Sequence, residues 1–166
     1  MTTDSLQVSP DAEFAARGES VLLVDDHPLI LEAVGDMLRR YRYTVFTAPD
    51  ATKAVPLWHQ HRNELRAVVS DYHLGKGRTG ISLLREISVA QPSLLLVLTS
   101  ASVTPDVMAE VGRTSTIHCL PKPYHYMQLL KLLRAGLDAS PVRRLEAMRR
   151  KVDSTLPDPP SFRMER

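Results

Sequence analysis

The chain has 166 residues, which suits one domain with some chain left over at its ends. Its 43% hydrophobic and 24% charged residues are ordinary for a soluble globular protein with a sizeable core, and a net charge of +2 does not by itself imply a nucleic-acid or membrane partner. A single cysteine, Cys119, excludes an internal disulfide and fits a reducing compartment.

Residues 1–19 are polar and rich in small side chains, and they read as a flexible leader. Asp4, Asp11 and Glu13, with no apolar stretch between them, exclude a signal peptide. From Ser20 short apolar runs alternate with longer amphipathic segments. The run 21–24 predicts a strand that ends in Asp25 and Asp26. Pro28 then suits the first turn of a helix carrying Leu29, Ile30, Ala33, Val34, Met37 and Leu38. Tyr43, Val45 and Phe46 support a weaker strand at 44–47. Asp50 is a suitable cap for a helix with Ala51, Ala54, Val55 and Trp58, and Pro56 inside it predicts a kink or an early end.

The apolar run 67–69 predicts a third strand, closed by Asp71. A helix at 79–90 places Ile81, Leu83, Leu84 and Ile87 on one side. The run 94–98 predicts a fourth strand followed by Thr99, Ser100 and Ala101. It is the longest strongly apolar run and far too short to span a bilayer, so no membrane partner and a cytoplasmic location are expected. Thr104 and Pro105 open a short helical segment to 111. Ile117 supports a weak strand at 116–120, followed by Pro121, Lys122 and Pro123. A helix at 124–137 carries Met127, Leu129, Leu130, Leu132 and Leu133.

Strand–helix repeated five times implies an α/β fold with a parallel sheet covered on both faces. Five units without a second half favour the order 2-1-3-4-5, in which strands 1 and 3 are neighbours and ligands bind at the carboxyl ends. Asp25, Asp26 and Asp71 would then meet at one edge of the sheet. Two like charges about 4 Å apart repel by roughly 4 kcal/mol at an effective dielectric near 20. A divalent cation with oxygen ligands, Mg²⁺ in particular, and the ammonium of Lys122 would compensate them. With a hydroxyl from Thr99, these residues make a coherent phosphoryl-transfer site.

The segments VLLVDDHPL, VVSDYHL, VLTSA and LPKP, in that order, resemble the receiver domains of two-component response regulators. The resemblance covers roughly residues 20–137 and implies a flavodoxin-like (βα)5 fold. It implies Asp71 as phosphoacceptor, with Asp26 binding Mg²⁺ directly, Asp25 mainly through water, and the His73 backbone carbonyl as a further ligand. Thr99 would bond the phosphoryl group, Lys122 would pair with it, and the bond before Pro123 would be cis. The implied function is acceptance of phosphate from a histidine kinase or phosphotransfer protein, followed by protein–protein signalling to a downstream target. Homodimerisation is left open, nucleic-acid binding is not expected, and no catalytic turnover is expected beyond self-phosphorylation and dephosphorylation.

Three features depart from the family pattern. Receivers commonly carry Tyr or Phe three residues before the lysine, where this chain has Cys119. Gly75 stands where proline is usual, and Gly80 comes nine rather than eight residues after Asp71. The loop 75–80 is therefore longer, basic and flexible, and it resembles loops in receivers attached to hybrid sensor kinases. Residues 138–166 form a basic tail, too short for the DNA-binding domain of the family's transcriptional regulators, with one further helix expected at 141–152.

Simpler readings stand beside these. Asp26 alone reads as a helix cap, and Cys119 as a small buried hydrophobe rather than a redox sensor. The six histidines lack zinc-ligand spacing with Cys119, and the basic tail reads first as a solvated face. Two rival functions remain. One is a degenerate receiver acting as a phosphorylation-independent scaffold. The other is an aspartate-dependent phosphatase, disfavoured because His73 occupies the place of that class's second aspartate.

Overall fold

A computed structural model describes residues 12–75, 77–113 and 116–139. Strands and helices alternate as β1 (Ser20–Val24), α1 (Pro28–Arg40), β2 (Thr44–Ala48), α2 (Ala51–His61), β3 (Leu65–Asp71), α3 (Gly80–Ala90), β4 (Leu95–Ser100), α4 (Pro105–Gly112), β5 (Ile117–Pro121) and α5 (Tyr126–Ala139). The sheet is parallel throughout, in the order β2-β1-β3-β4-β5. This is the order expected from the sequence. The further helix expected at 141–152 lies outside the described residues, as does Lys76 of the loop.

The three central strands are buried along nearly their whole length, which is why their sequences read as unbroken apolar runs. Leu22, Val24, Val68, Leu96 and Leu98 join one core layer with Ala54, Trp58, Ile81, Leu84 and Ile87 of α2 and α3. Val21, Leu23, Val69 and Val97 join the opposite layer with Leu38 of α1 and Leu129, Leu130 and Leu133 of α5. Adjacent residues of one strand therefore serve opposite layers, as the pleat requires. The edge strands β2 and β5 carry exposed and partly exposed positions, and their sequence signals are correspondingly weaker.

Local chemistry sets the helix starts. The side chains of Asp50, Thr79 and Thr104 accept hydrogen bonds from the amides of Lys53, Ser82 and Val107 and cap α2, α3 and α4. The N-cap of α1 is His27 and has no side-chain cap bond, so Asp26 is not a capping residue here. Helix α2 continues through Pro56 for 11 residues instead of ending there. Helix α5 starts at Tyr126, two residues later than expected. Near its end Gly136 lies against β4, where an added Cβ would sit 2.5 Å from Leu95.

Of the expected leader, only residues 12–19 are described. Residues 12–19 are packed on the domain rather than held apart from it. A 3-10 turn at Ala12–Phe14 buries Phe14, whose carbonyl accepts from the Tyr43 hydroxyl at 3.2 Å. The Ala16 amide donates to the Tyr41 carbonyl at 2.7 Å. Glu19 accepts from the Arg17 amide and pairs with the Arg134 guanidinium of α5 at 2.8 Å. Arg134 also donates to Asp138 and to the Ala15 carbonyl, so its fork is engaged on several sides. Burial opposes the charge on Arg134, and these hydrogen bonds outweigh it, holding its pKa above the usual guanidinium value. The strap thus ties the start of β1, the end of α1 and α5 together.

The Glu19–Arg134 pair is almost fully buried, whereas Asp36–Arg39 on α1 is a solvated pair. Glu19→Gln should destabilise the domain by roughly 1–3 kcal/mol, because it removes a charged acceptor from a buried donor. Asp36→Asn should stay within about 0.5 kcal/mol of the parent. Urea denaturation of the two variants checks both values, and equal midpoints would contradict this account of the strap.

Candidate functional site

The carboxyl ends of β1, β3, β4 and β5 open on one edge of the sheet. Asp25 follows β1 directly, Asp71 closes β3, Thr99 lies in β4 opposite Asp71 in the pairing register, and Lys122 follows β5. Each position is set by strand length. The ladder holds Tyr72 through its amide, which donates to the Thr99 carbonyl at 2.8 Å. The Lys122 amide donates to the Ser100 carbonyl at the same distance and fixes the start of the Lys122–Pro123 segment.

Lys122 Nζ lies 2.9 Å from Asp25 Oδ2 and 2.8 Å from Asp71 Oδ1. The second oxygen of each carboxylate accepts a backbone amide two residues on. His27 donates to Asp25 Oδ1 and His73 to Asp71 Oδ2, both at 2.9 Å. Thr99 Oγ1 completes the group, 3.4 Å from Asp71 Oδ1 and 3.5 Å from the Ser70 carbonyl. Asp25, Asp71 and Thr99 are buried, so these interactions are shielded from bulk water. Burial by itself lowers the pKa of Lys122, but its hydrogen bonds and charge attraction to Asp71 and Asp25 prevail and hold it above the ordinary lysine value.

Asp26 stands apart. It is exposed, and its side chain makes no hydrogen bond or ion pair with another described residue. Gly75 lies beside it, and a Cβ there would be 3.7 Å from Asp26 Oδ2. Of the residues expected at this edge, Asp25, Asp71, Thr99 and Lys122 are brought together, and Asp26 lies at the rim. The bond before Pro123 is cis, as expected.

A divalent cation fits this edge in charge and donor type. Asp25 and Asp71 against Lys122 leave one negative charge, Asp26 at the rim adds a second, and the side chains gathered with the lysine offer hard carboxylate and hydroxyl oxygens. Among the described residues no three acidic, histidine or cysteine side chains are gathered into a ready cage. Lys122 bridges Asp25 and Asp71, while Asp26 stands at the rim. Mg²⁺ does not need such a cage, since it keeps several waters and takes only one or two carboxylates.

Two contributors escaped the sequence reading. Ser70, one residue before Asp71, is fully buried, and its hydroxyl donates to the Asp71 carbonyl at 3.0 Å. Its only signal was a polar residue closing an apolar run. Tyr124 joins Ile30, Val34, Ala101, Lys122 and Pro123 around an open concavity of about 550 Å³ beside the lysine. Burial pushes its phenol pKa up, and the charges of Lys122, Asp25 and Asp71 also act on it.

Comparison with known proteins agrees with this geometry. Residues 21–134 match the family model of the response regulator receiver domain. The two-component response regulator ORR24 of Oryza sativa subsp. japonica is 29% identical over 112 residues, which cover 68% of this chain and 18% of that protein. The chain therefore spans about a fifth of the length of the curated relatives first matched. The signal receiver domain of an HD domain-containing protein from Pseudomonas fluorescens Pf-5 superposes with a TM-score of 0.67 at 31% identity, covering 74% of this chain and 96% of that one. The CheX–CheY–BeF3–Mg²⁺ complex of Borrelia burgdorferi shares the fold at 19% identity, with a TM-score of 0.64 and coverage of 70% and 87%. No helix among the described residues is long and apolar enough to cross a membrane. With most of its length matched and its strand ends arranged in this way, the chain belongs to the response regulator receiver domain family.

Proposed function

We propose that this chain is a phosphoacceptor of a two-component relay, which takes a phosphoryl group onto Asp71 from a histidine kinase or phosphotransfer protein and signals through protein contacts. One observation carries the reading. The Asp71 carboxylate is held at the mouth of the sheet between a lysine ammonium, a threonine hydroxyl and a backbone amide.

In the transfer an Asp71 oxygen attacks phosphorus while the bond to the donor breaks, and the leaving group keeps its electron pair. The product is an aspartyl phosphate, which water later hydrolyses back to the carboxylate. The His73 amide holds Oδ2 and Lys122 holds Oδ1, so the nucleophile enters the reaction already oriented. Lys122 then offsets negative charge on the phosphoryl oxygens, and the Thr99 hydroxyl donates to one of them. Asp25, Asp26, Asp71 and the His73 carbonyl would hold Mg²⁺, which when bound supplies positive charge opposite the same oxygens. The apolar wall of Ile30, Val34 and Tyr124 beside Lys122 gives a donor protein a surface on which to seat its phosphohistidine.

Readout differs from the family pattern. Cys119 is half-buried in β5 and packs against the layer that contains Val107 and Val111 of α4. A cysteine there lacks the ring whose rotation couples the pocket to that face in other receivers. Burial raises its thiol pKa, so at a given pH less thiolate is present than on an exposed cysteine.

Three outcomes follow. Acetyl phosphate with Mg²⁺ should add one phosphoryl group by intact mass, and Asp71→Asn should abolish the gain. No gain in either form would favour the scaffold reading, and turnover of a phosphate ester far beyond stoichiometry would favour a phosphatase. Lys122→Ala should slow phosphorylation by about a hundredfold, since one preorganised charge contributes on that order; an unchanged rate would remove Lys122 from the mechanism. Alkylation of Cys119 by iodoacetamide at about pH 8 should run at least threefold slower in the folded chain than in urea, and should accelerate as pH rises through the raised thiol value. Equal rates would show that burial does not control this thiol.

A further inference from the structure

We propose that Ser70 is a positioning residue for phosphoryl transfer, acting through the backbone of Asp71; this rests on the reading of Asp71 as the phosphoacceptor. Ser70 lies in β3 and faces α3. It is fully buried, a lone hydroxyl where Val68 occupies the same face one step earlier. Such a group is costly unless it is hydrogen-bonded, and Ser70 Oγ donates to the Asp71 carbonyl oxygen at 3.0 Å.

The far side of that carbonyl is closed by α3. A Cβ on Gly80 would stand 1.8 Å from the Asp71 oxygen and 2.6 Å from Ser70 Oγ. Only glycine can begin α3 at this distance, and its backbone amide donates to the Tyr72 carbonyl at 2.8 Å. The Asp71 carbonyl is thus gripped between the Ser70 hydroxyl and the bare Cα of Gly80. Beyond it, the Tyr72 amide is tied to Thr99.

This grip bears on the carboxylate directly. The direction of a Cα–Cβ bond is set by the backbone on either side, and Asp71 is the last residue of its strand. The sheet's last hold on the chain is the Tyr72 amide bond to the Thr99 carbonyl, and a loop one residue longer than the family pattern follows. That bond holds the N–H side of the Asp71–Tyr72 peptide and the Ser70 hydroxyl holds its carbonyl side, so together they keep the peptide from turning and Oδ1 aimed at Lys122 and Thr99. Displacements of about 1 Å at a reacting atom are enough to cost large factors in rate.

The test compares the full-length parent chain with Ser70→Ala and Ser70→Cys. Phosphorylation is followed by intact mass at saturating acetyl phosphate and Mg²⁺, well below each variant's melting temperature, and Mg²⁺ affinity is measured separately by NMR titration. Ser70→Ala should lower the saturated rate roughly tenfold, while Mg²⁺ affinity stays within about twofold. Ser70→Cys, which retains a weak donor, should fall between the two. A saturated rate for Ser70→Ala equal to the parent's would overturn the proposal, as would a loss matched only by the unfolded fraction. Failure of the parent chain itself to take a phosphoryl group would instead strike the acceptor reading, and this proposal with it. Gly80→Ala gives a second approach. If it folds, its rate should fall below that of Ser70→Ala, and a rate equal to the parent's would show that the grip has no kinetic role.

Discussion

The contact on which this molecule's chemistry depends is the bridge from Lys122 to Asp25 and Asp71. Asp25 and Lys122 are 97 residues apart in sequence, and they meet only because the sheet runs 2-1-3-4-5. Two buried carboxylates on neighbouring strands would repel one another strongly in a medium this poor in water. One ammonium bridges both and cancels one of the two charges, and the backbone amides of His27 and His73 satisfy the oxygens it leaves. Removing a partner from such a buried set leaves a charge without compensation, which is far costlier than the pair's net contribution to stability.

The sheet has a second ionic cluster at its other end, and the contrast explains what each is for. There Arg134 binds Glu19 and Asp138 and reaches the Ala15 carbonyl. A guanidinium fork engaged on several sides is a geometric lock, since each N–H has a fixed direction. Lys122 is a compact charge on a flexible stem, and its side chain keeps a fifth of its surface accessible, against 7% for Arg134. It can follow a moving oxygen without breaking a planar geometry. A fixed lock thus holds the strap, and on the proposed reading the mobile charge stands where the phosphoryl group would arrive.

The sequence was most informative where burial and chemistry coincide at a strand's end. The central strands read as apolar runs because helices cover both their faces, and the residues that close them are those that meet at the site. The helix starts were legible from Asp50, Thr79 and Thr104, whose side chains cap locally. What escaped was long-range and had no period. Phe14 and Glu19 belong to a segment that reads as a leader, because a single aromatic and one acid carry no pattern. Their partners, Tyr43 and Arg134, lie 29 and 115 residues away. Ser70 was similarly invisible, because its importance depends on how closely Gly80 approaches. Asp26 was expected with Asp25 and Asp71, but sequence could not tell that Lys122 would bridge those two without it.

On the proposed reading, Cys119 in place of an aromatic narrows the routes by which the pocket can reach the α4 face. With Cys119 in β5, what remains is the chain itself. Thr99 touches Asp71, and Ser100 next to it donates its hydroxyl to the Ser102 carbonyl in the turn that leads to the cap of α4. At its far end α4 is held by Arg85 of α3, which binds both the carboxylate and the carbonyl of Glu110. Helix α3 in turn begins at Gly80, against the Asp71 carbonyl. Both ends of α4 are therefore tethered to residues beside Asp71, one through β4 and one through α3. A shift of the Asp71 backbone acts on both tethers, whereas a shift of the Thr99 hydroxyl acts on only one. The Asp71 backbone thus adjoins both connections to α4, at Thr99 of β4 and at Gly80 of α3, and on the proposed reading it is the element through which the pocket reaches that helix.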